Sequence, residues 1–345
     1  MKAGRLDWVD ALKGISILLV VYYHVVRSSY SIPFELGIYD RTLFDSLNYF
    51  IVFKLVPLRM PLFFLISGFL TSKAIINKTW GETFHSKIGI YIYIFLLWAI
   101  IQNLVFKAIG NDIPLNTAPN ALYANDIGDF FRLVFEGRST LWYLYALVIY
   151  FSVTKLCRNA KWVILTCALL MNTYSIVENP EFPYRNMTFC YIFFVAGVFW
   201  GNYIFDKIQR IKNSTHGILI ILSLVVLTLA AFGLRYRLFE SIIAVYLVTL
   251  LVLKLSQMGL KFESIRYVGV NTLPVYIIHP MLVELSSAFI IPWIITFEIT
   301  NYWNHLLYSL TTPLLLVTLC VVLSLFFWKI TNISLGKFLY NYSFR

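Results

Sequence analysis

Ala11-Leu-Lys-Gly-Ile-Ser-Ile-Leu-Leu-Val-Val-Tyr-Tyr-His-Val-Val26 lies in an apolar segment, residues 11–27, of a length that can cross a bilayer. It carries two groups that hydrocarbon penalises, Lys13 and His24. An offset of eleven residues at roughly 100° each returns to within about 20° of the starting direction, so both side chains face one way. At about 1.5 Å per residue they stand roughly 16 Å apart along the axis. Two readings fit this spacing. One is a site reached from both membrane faces, with a cation at one edge and an imidazole deep toward the other. The other is a lysine that snorkels to the surface and a histidine hydrogen-bonded inside a helical bundle.

The rest of the chain repeats the pattern of that first segment. Its 345 residues are 59% hydrophobic and 13% charged, and the mean hydropathy is +0.75. Soluble domains do not have this composition. Ten apolar runs are expected to span, near residues 11–27, 48–71, 88–107, 141–157, 161–177, 186–204, 216–234, 238–256, 272–295 and 307–328. In the second, Lys54, Pro57 and Arg59 interrupt the run, and the firm part is Leu62 to Leu70. The gap from Ala108 to Thr140 reads as a loop, and no soluble domain fits anywhere. The expectation is an all-α polytopic membrane bundle forming one domain over residues 1–345.

Basic residues set the orientation. With the N-terminus inside, 18 of the 28 Lys and Arg fall on the cytoplasmic face in six groups of three, among them Lys73, Lys78 and Lys87, and Lys155, Arg158 and Lys161. The other face receives ten. The positive-inside rule then puts both termini in the cytoplasm. The net charge of +11 follows largely from this topology and calls for no nucleic acid. The downstream flank Arg27-Ser-Ser-Tyr-Ser-Ile32 offers no convincing small-x-small cleavage site and Lys13 lies within the start of the segment, which argues against a removed signal peptide. Cys157, Cys167, Cys190 and Cys320 show no metal-ligand or disulfide spacing. No P-loop or GxGxxG occurs, and no Gly-x-x-x-Gly pattern dominates, so helix pairing is expected to rest on ordinary packing.

Four blocks carry a resemblance to a known family. They are Arg5-Leu-Asp-Trp-Val-Asp-Ala-Leu-Lys-Gly-Ile15 with Val20-Val-Tyr-Tyr-His24, then Met60-Pro-Leu-Phe-Phe-Leu-Ile-Ser-Gly-Phe69, Leu141-Trp-Tyr-Leu144 and Tyr276-Ile-Ile-His-Pro280. In this order they resemble the acyltransferase 3 family of integral membrane O-acyltransferases. The family's usual first-helix basic residue is Arg, where this chain has Lys13, which keeps the charge but loses the guanidinium fork. Relatives often carry several arginines leading into the third helix, where this chain offers Lys87. The chain looks like the stand-alone type, similar to sugar O-acetylases.

The resemblance implies a multi-pass protein of the plasma (bacterial inner) membrane. It would take an acyl group, acetyl before any longer chain, from cytoplasmic acyl-coenzyme A to a hydroxyl of a surface or lipid-linked polysaccharide. Coenzyme A is then a substrate and no permanently bound cofactor or metal is implied. The partners are the donor, the glycan acceptor and the lipid bilayer. His24 would be catalytic, as general base or transient acyl carrier, since imidazole accepts a proton near neutral pH. Lys13, Ser67 and Lys87 would serve the donor. The alternative function is a translocator of polysaccharide or lipid-linked sugar, without acyl transfer.

The remaining candidates have a structural reading beside the functional one. Arg59 can meet an anionic substrate group or anchor a helix end, and Ser67-Gly68 can contact the donor or let helices approach closely. Trp142 can stack on a sugar or join the interfacial aromatic belt. His279 precedes Pro280, whose missing N–H frees a carbonyl, so it suits a structural hydrogen bond as well as catalysis. Glu284 reads as the one acid well inside a span and is expected to pair with a buried cation or histidine. His85, His216 and His305 read as solvated residues of loops or helix ends. Asn111, Asp112, Asn116, Asn120, Asn125, Asp126, Asp129 and Glu136 make a polar loop that suits sugar hydroxyls or plain solvent.

Overall fold

The computed structural model describes residues 7–31, 43–109, 124–210, 215–223, 237–290 and 302–341. Every regular element among them is helical. Helix α1 runs unbroken from Asp7 to His24, with Asp7 and Asp10 in its first turn where the helix dipole favours acids. It passes directly into a π-helical turn, Val25–Tyr30. Next come α2 (Leu43–Lys54) and α3 (Val56–Ile76), separated at Leu55. The expected segment 48–71 is thus two helices starting five residues earlier. The Lys54–Pro57 interruption marks the break, since Pro57 has no N–H to continue the preceding ladder.

A helical turn at Trp80–Thr83 and a π stretch at Phe84–Ile88 lead into α4 (Gly89–Ile109). Then follow α5 (Ile127–Glu136), α6 (Trp142–Leu156), α7 (Lys161–Val177) and α8 (Tyr184–Arg210). The series closes with α9 (Arg237–Gln257), α10 (Glu263–Val270), α11 (Thr272–Leu285) with a second π turn at Ser286–Ile290, and α12 (Tyr302–Thr331). A 3-10 turn, Ser334–Leu339, follows α12.

Seven of the described segments are long and apolar enough to cross a membrane, and α6 and α7 are shorter apolar helices. These nine coincide with nine of the ten expected runs. The tenth, 216–234, is described only to Ser223, where residues 215–223 are helical. Helix α12 shows why the solvent must be lipid. Leu307, Leu314 and Phe326 are exposed while Tyr308, Leu316 and Cys320 are buried, so apolar side chains cover both faces.

The expected loop 108–140 contains α5, a correction with a plain local cause. The Asp126 side chain accepts from Asp129 N–H at 2.8 Å as the N-cap, and Gly137, at φ 66°, supplies the left-handed C-terminal stop. Asn111, Asp112, Asn116 and Asn120 lie outside the described residues.

The chain divides into two compact units. The first comprises Met1–Ser16, Val56–Thr83 and Ile149–Val270. Its centre is the α3–α8 pair, where backbones touch. A Cβ on Gly68 would strike the carbonyl of Phe194, and one on Gly197 would strike the carbonyl of Leu65. Gly197 and Gly201 form a Gly-x-x-x-Gly stripe, so the expectation of ordinary packing is corrected here. A single such spacing in a sequence carries little weight until the facing small residue, Gly68, is known. Lys155 is 2% exposed and donates to the carbonyls of Ala74, Ile75 and Lys78 at 3.1, 3.3 and 2.7 Å. It thereby caps the C-terminal end of α3.

The second unit comprises Ile17–Leu55, Phe84–Val148 and Asn271–Arg345. Here α11 packs on α12 and α4, and both π turns meet one another. Ser29 of the first π turn donates to the Val283 carbonyl at 3.0 Å, and its Oγ lies 2.9 Å from that of Ser287. Ser287 also reaches the Ser28 carbonyl at 3.1 Å.

Candidate active site

The second unit assembles the Val20–His24 end of the first sequence block with the Leu141–Leu144 and Tyr276–Pro280 blocks. His24, half-buried at the C-terminal end of α1, faces His279 of α11 with ring centroids 5.3 Å apart. His279 is 1% exposed. Its Nδ1 lies 2.9 Å from the Val275 carbonyl oxygen, one helical turn back. A carbonyl only accepts, so Nδ1 carries the hydrogen and, in the neutral ring, Nε2 holds the lone pair. That Nε2 is buried without a hydrogen-bond partner among the described residues.

Tyr276, on the same helix, ties this block to the Leu141–Leu144 block. Its hydroxyl donates to the Thr140 carbonyl at 2.7 Å and accepts from Tyr143 N–H at 3.2 Å. Gln102 of α4 completes the lock: its Nε2 donates to the Ile277 carbonyl at 2.9 Å, and its Oε1 accepts from Thr140 Oγ1 at 2.7 Å. Trp142 is buried at the start of α6. Gln102 escaped the sequence reading, although an amide in the middle of an apolar run was its signal.

A second polar cluster was also missed. Asp45, in the first turn of α2, is fully buried, so Glu284 is not the one buried acid among the described residues. Asp45 accepts from the Tyr30 hydroxyl and from Ser309 Oγ at 2.6 Å, and its Oδ2 lies 3.2 Å from His305 Nε2. Asn48 donates to the Ser309 carbonyl at 2.9 Å and accepts from the Tyr22 hydroxyl at 2.7 Å. The expected start of the second segment at residue 48 left Asp45 outside it. His305, read as solvated, is buried because α12 begins within this network. His216 is likewise corrected: it is buried, with Nδ1 2.6 Å from the Tyr246 hydroxyl. His85 is exposed, as expected.

Glu284 is buried on α11, yet among the described residues it makes no ion pair with a cation or histidine, which corrects the pairing expected of it. Lys87 is half-buried in the Phe84–Ile88 π stretch. The other candidates belong to the first unit. Lys13, with 18% of its side chain exposed, lies 3.3 Å from the Asp10 carboxylate. Arg59 is half-buried in the first turn of α3. The Ser67 hydroxyl donates to the Phe63 carbonyl of its own helix at 2.7 Å, and Gly68 beside it makes the close α3–α8 approach.

A polytopic helical protein with two imidazoles in contact inside its spanning region has the equipment for proton transfer or nucleophilic catalysis. Comparison with known proteins gives the class a family. The chain belongs to the acyltransferase 3 family, whose model, described as an acyltransferase domain, matches residues 6–332. It is therefore a multi-pass membrane acyltransferase. It is similar to inner membrane protein YcfT of Escherichia coli (strain K12), with 28% identity over 291 residues, covering 81% of this chain and 80% of that protein. No solved structure matches the chain.

Proposed function

We propose that the protein is an inner-membrane O-acyltransferase moving an acetyl group from cytoplasmic acetyl-coenzyme A to a hydroxyl of a surface or lipid-linked glycan. The observation that carries this reading is the half-buried imidazole of His24 beside that of His279. A sugar hydroxyl is a poor nucleophile until a base takes its proton, and a neutral imidazole is the side chain suited to that task near pH 7. His24 is the catalytic residue, as base or acyl carrier. Helix α1 is unbroken, so Lys13 stands about 16 Å from His24 by helical rise, a distance that suits an extended pantetheine arm with its phosphates at the ammonium.

Ser67 and Lys87 are assigned to the donor, and Arg59, Trp142 and Glu284 to the acceptor or to support. The similarity to an inner membrane protein supports the location. The test is transfer of label from acetyl-coenzyme A to membrane glycans by purified protein in vesicles. Label must appear with wild type and disappear with His24→Ala at equal insertion; label in neither, or in both, overturns the reading.

A further inference from the structure

We infer that His279 is a second catalytic base, which takes the acceptor hydroxyl's proton at Nε2 while His24 works on the acyl group. The inference rests on the acyl-transfer reading above and assigns the work within it. Buried polar atoms are almost always paired, and one left without a partner calls for a reason. His279 Nε2 is such an atom among the described residues. Its orientation is not loose, because the bond from Nδ1–H to the Val275 carbonyl fixes both tautomer and ring. A histidine kept for structure alone would need only that bond, which a shorter amide could also make.

The surroundings hold this nitrogen in place. Tyr276, one residue past the Val275 anchor, is fastened at its hydroxyl to Thr140 and Tyr143. The Ile277 carbonyl is fastened to Gln102. At the far end of α11, Ser29 and Ser287 join the two π turns that continue α1 and α11. The helix carrying His279 is thus fastened to α4 and the start of α6 on one side of the ring contact, and to the continuation of α1 on the other. Preorganisation of this kind is what proton transfer in a transition state requires.

The step balances without a further reactant. The acceptor oxygen attacks the acyl carbonyl carbon as its proton passes to His279 Nε2. The bond from that carbon to its leaving group breaks, either to coenzyme A sulfur directly or to a ring nitrogen of His24 that had displaced the thiolate first. His279 then gives the proton to the coenzyme A thiolate, so alcohol and thioester become ester and thiol.

His279→Asn separates this role from a structural one. Its side-chain N–H still reaches the Val275 carbonyl, but it is not a base. In vesicles supplied with labelled acetyl-coenzyme A, it is expected to lose about 10²–10⁴-fold in kcat with donor KM unchanged. His279→Gln should behave alike. Transfer by His279→Asn within tenfold of wild type overturns the assignment and leaves acyl transfer standing, whereas absence of transfer by wild type overturns acyl transfer itself. If neither variant folds, the solvent deuterium isotope effect on wild-type kcat decides: a normal effect supports a proton in flight, and a ratio of unity overturns it.

Discussion

The two units differ in how the polar groups at their centres are satisfied. At the heart of the first, hydroxyls and the buried ammonium end on backbone carbonyls: Ser67 on Phe63, Ser72 on Val198 and Lys155 on three carbonyls after Lys73. Its central helices meet backbone to backbone at Gly68 and Gly197. In the second, side chains bind side chains: Tyr30 and Ser309 on Asp45, Thr140 on Gln102, Ser29 with Ser287. Carbonyl capping of this kind stabilises a helical frame. His279 is held at Nδ1 by the Val275 carbonyl and leaves Nε2 open, as His216 of the first unit does beside Tyr246. What sets the second unit apart is that its open ring nitrogen belongs to a histidine beside a second imidazole, His24, while the first unit is marked by its backbone-to-backbone packing.

The largest expected effect tests that division at its reactive end. His24→Ala should reduce acyl transfer to background, a loss of about 10³-fold or more, since it removes a group acting in the transition state. Yield and melting temperature in detergent should stay near wild type, because His24 is only half-buried, at the end of α1. Retained glycan acylation in intact cells lacking any wild-type copy would remove His24 from the mechanism.

Gly197→Leu tests the packing end. The new side chain has nowhere to go but into the Leu65 carbonyl, so α3 and α8 must separate. The cost should exceed the ~1–3 kcal/mol of ordinary overpacking, which cores absorb by off-rotamer side chains and small backbone shifts. Less monodisperse protein and a lower Tm are expected, with unchanged donor KM in the molecules that fold. A variant with normal Tm would show that this crossing is not close.

Gln102→Leu should act more mildly, within the second unit. It leaves the Thr140 hydroxyl and the Ile277 carbonyl without their partner, a cost of about 1–3 kcal/mol. A fall in Tm together with reduced kcat is expected, because the same bonds hold the Tyr276–His279 block. If Tm falls but kcat does not, the lock is structural and does not position His279.

The reach of the sequence differs between these regions for physical reasons. Hydropathy is a local property, so segment positions and class are readable, and the break between α2 and α3 is foreshadowed by Lys54 and Pro57. What joins segments is not local. His24 and His279 lie 255 positions apart, and nothing in either run states that their rings meet. The same holds for Gly68 facing Gly197, and for Asp45, which is a core acid only because α2 begins before residue 48. Helix α5 is readable in principle from Asp126, Asp129 and Gly137, but a polar composition masks its caps.

The smallest expected effect concerns Lys13, the candidate that joins the first unit to the donor. Its ammonium lies 3.3 Å from Asp10, so its charge is already partly met. If donor phosphates displace or share that contact, Lys13→Arg should keep activity, because the charge remains and the guanidinium fork suits phosphate. Lys13→Gln should raise the donor KM several-fold with kcat little changed, since binding that is uniform along the reaction appears in KM. A lysine that only snorkels to the membrane edge predicts otherwise: insertion suffers, while donor KM per correctly inserted molecule stays constant. Orientation-checked vesicles separate the two, because the count of inward-facing molecules is measured independently of their kinetics. The comparison with His24 sharpens the result. One residue on α1 should move KM and the other kcat, and an unchanged KM in Lys13→Gln would confine the helix's chemical role to its His24 end.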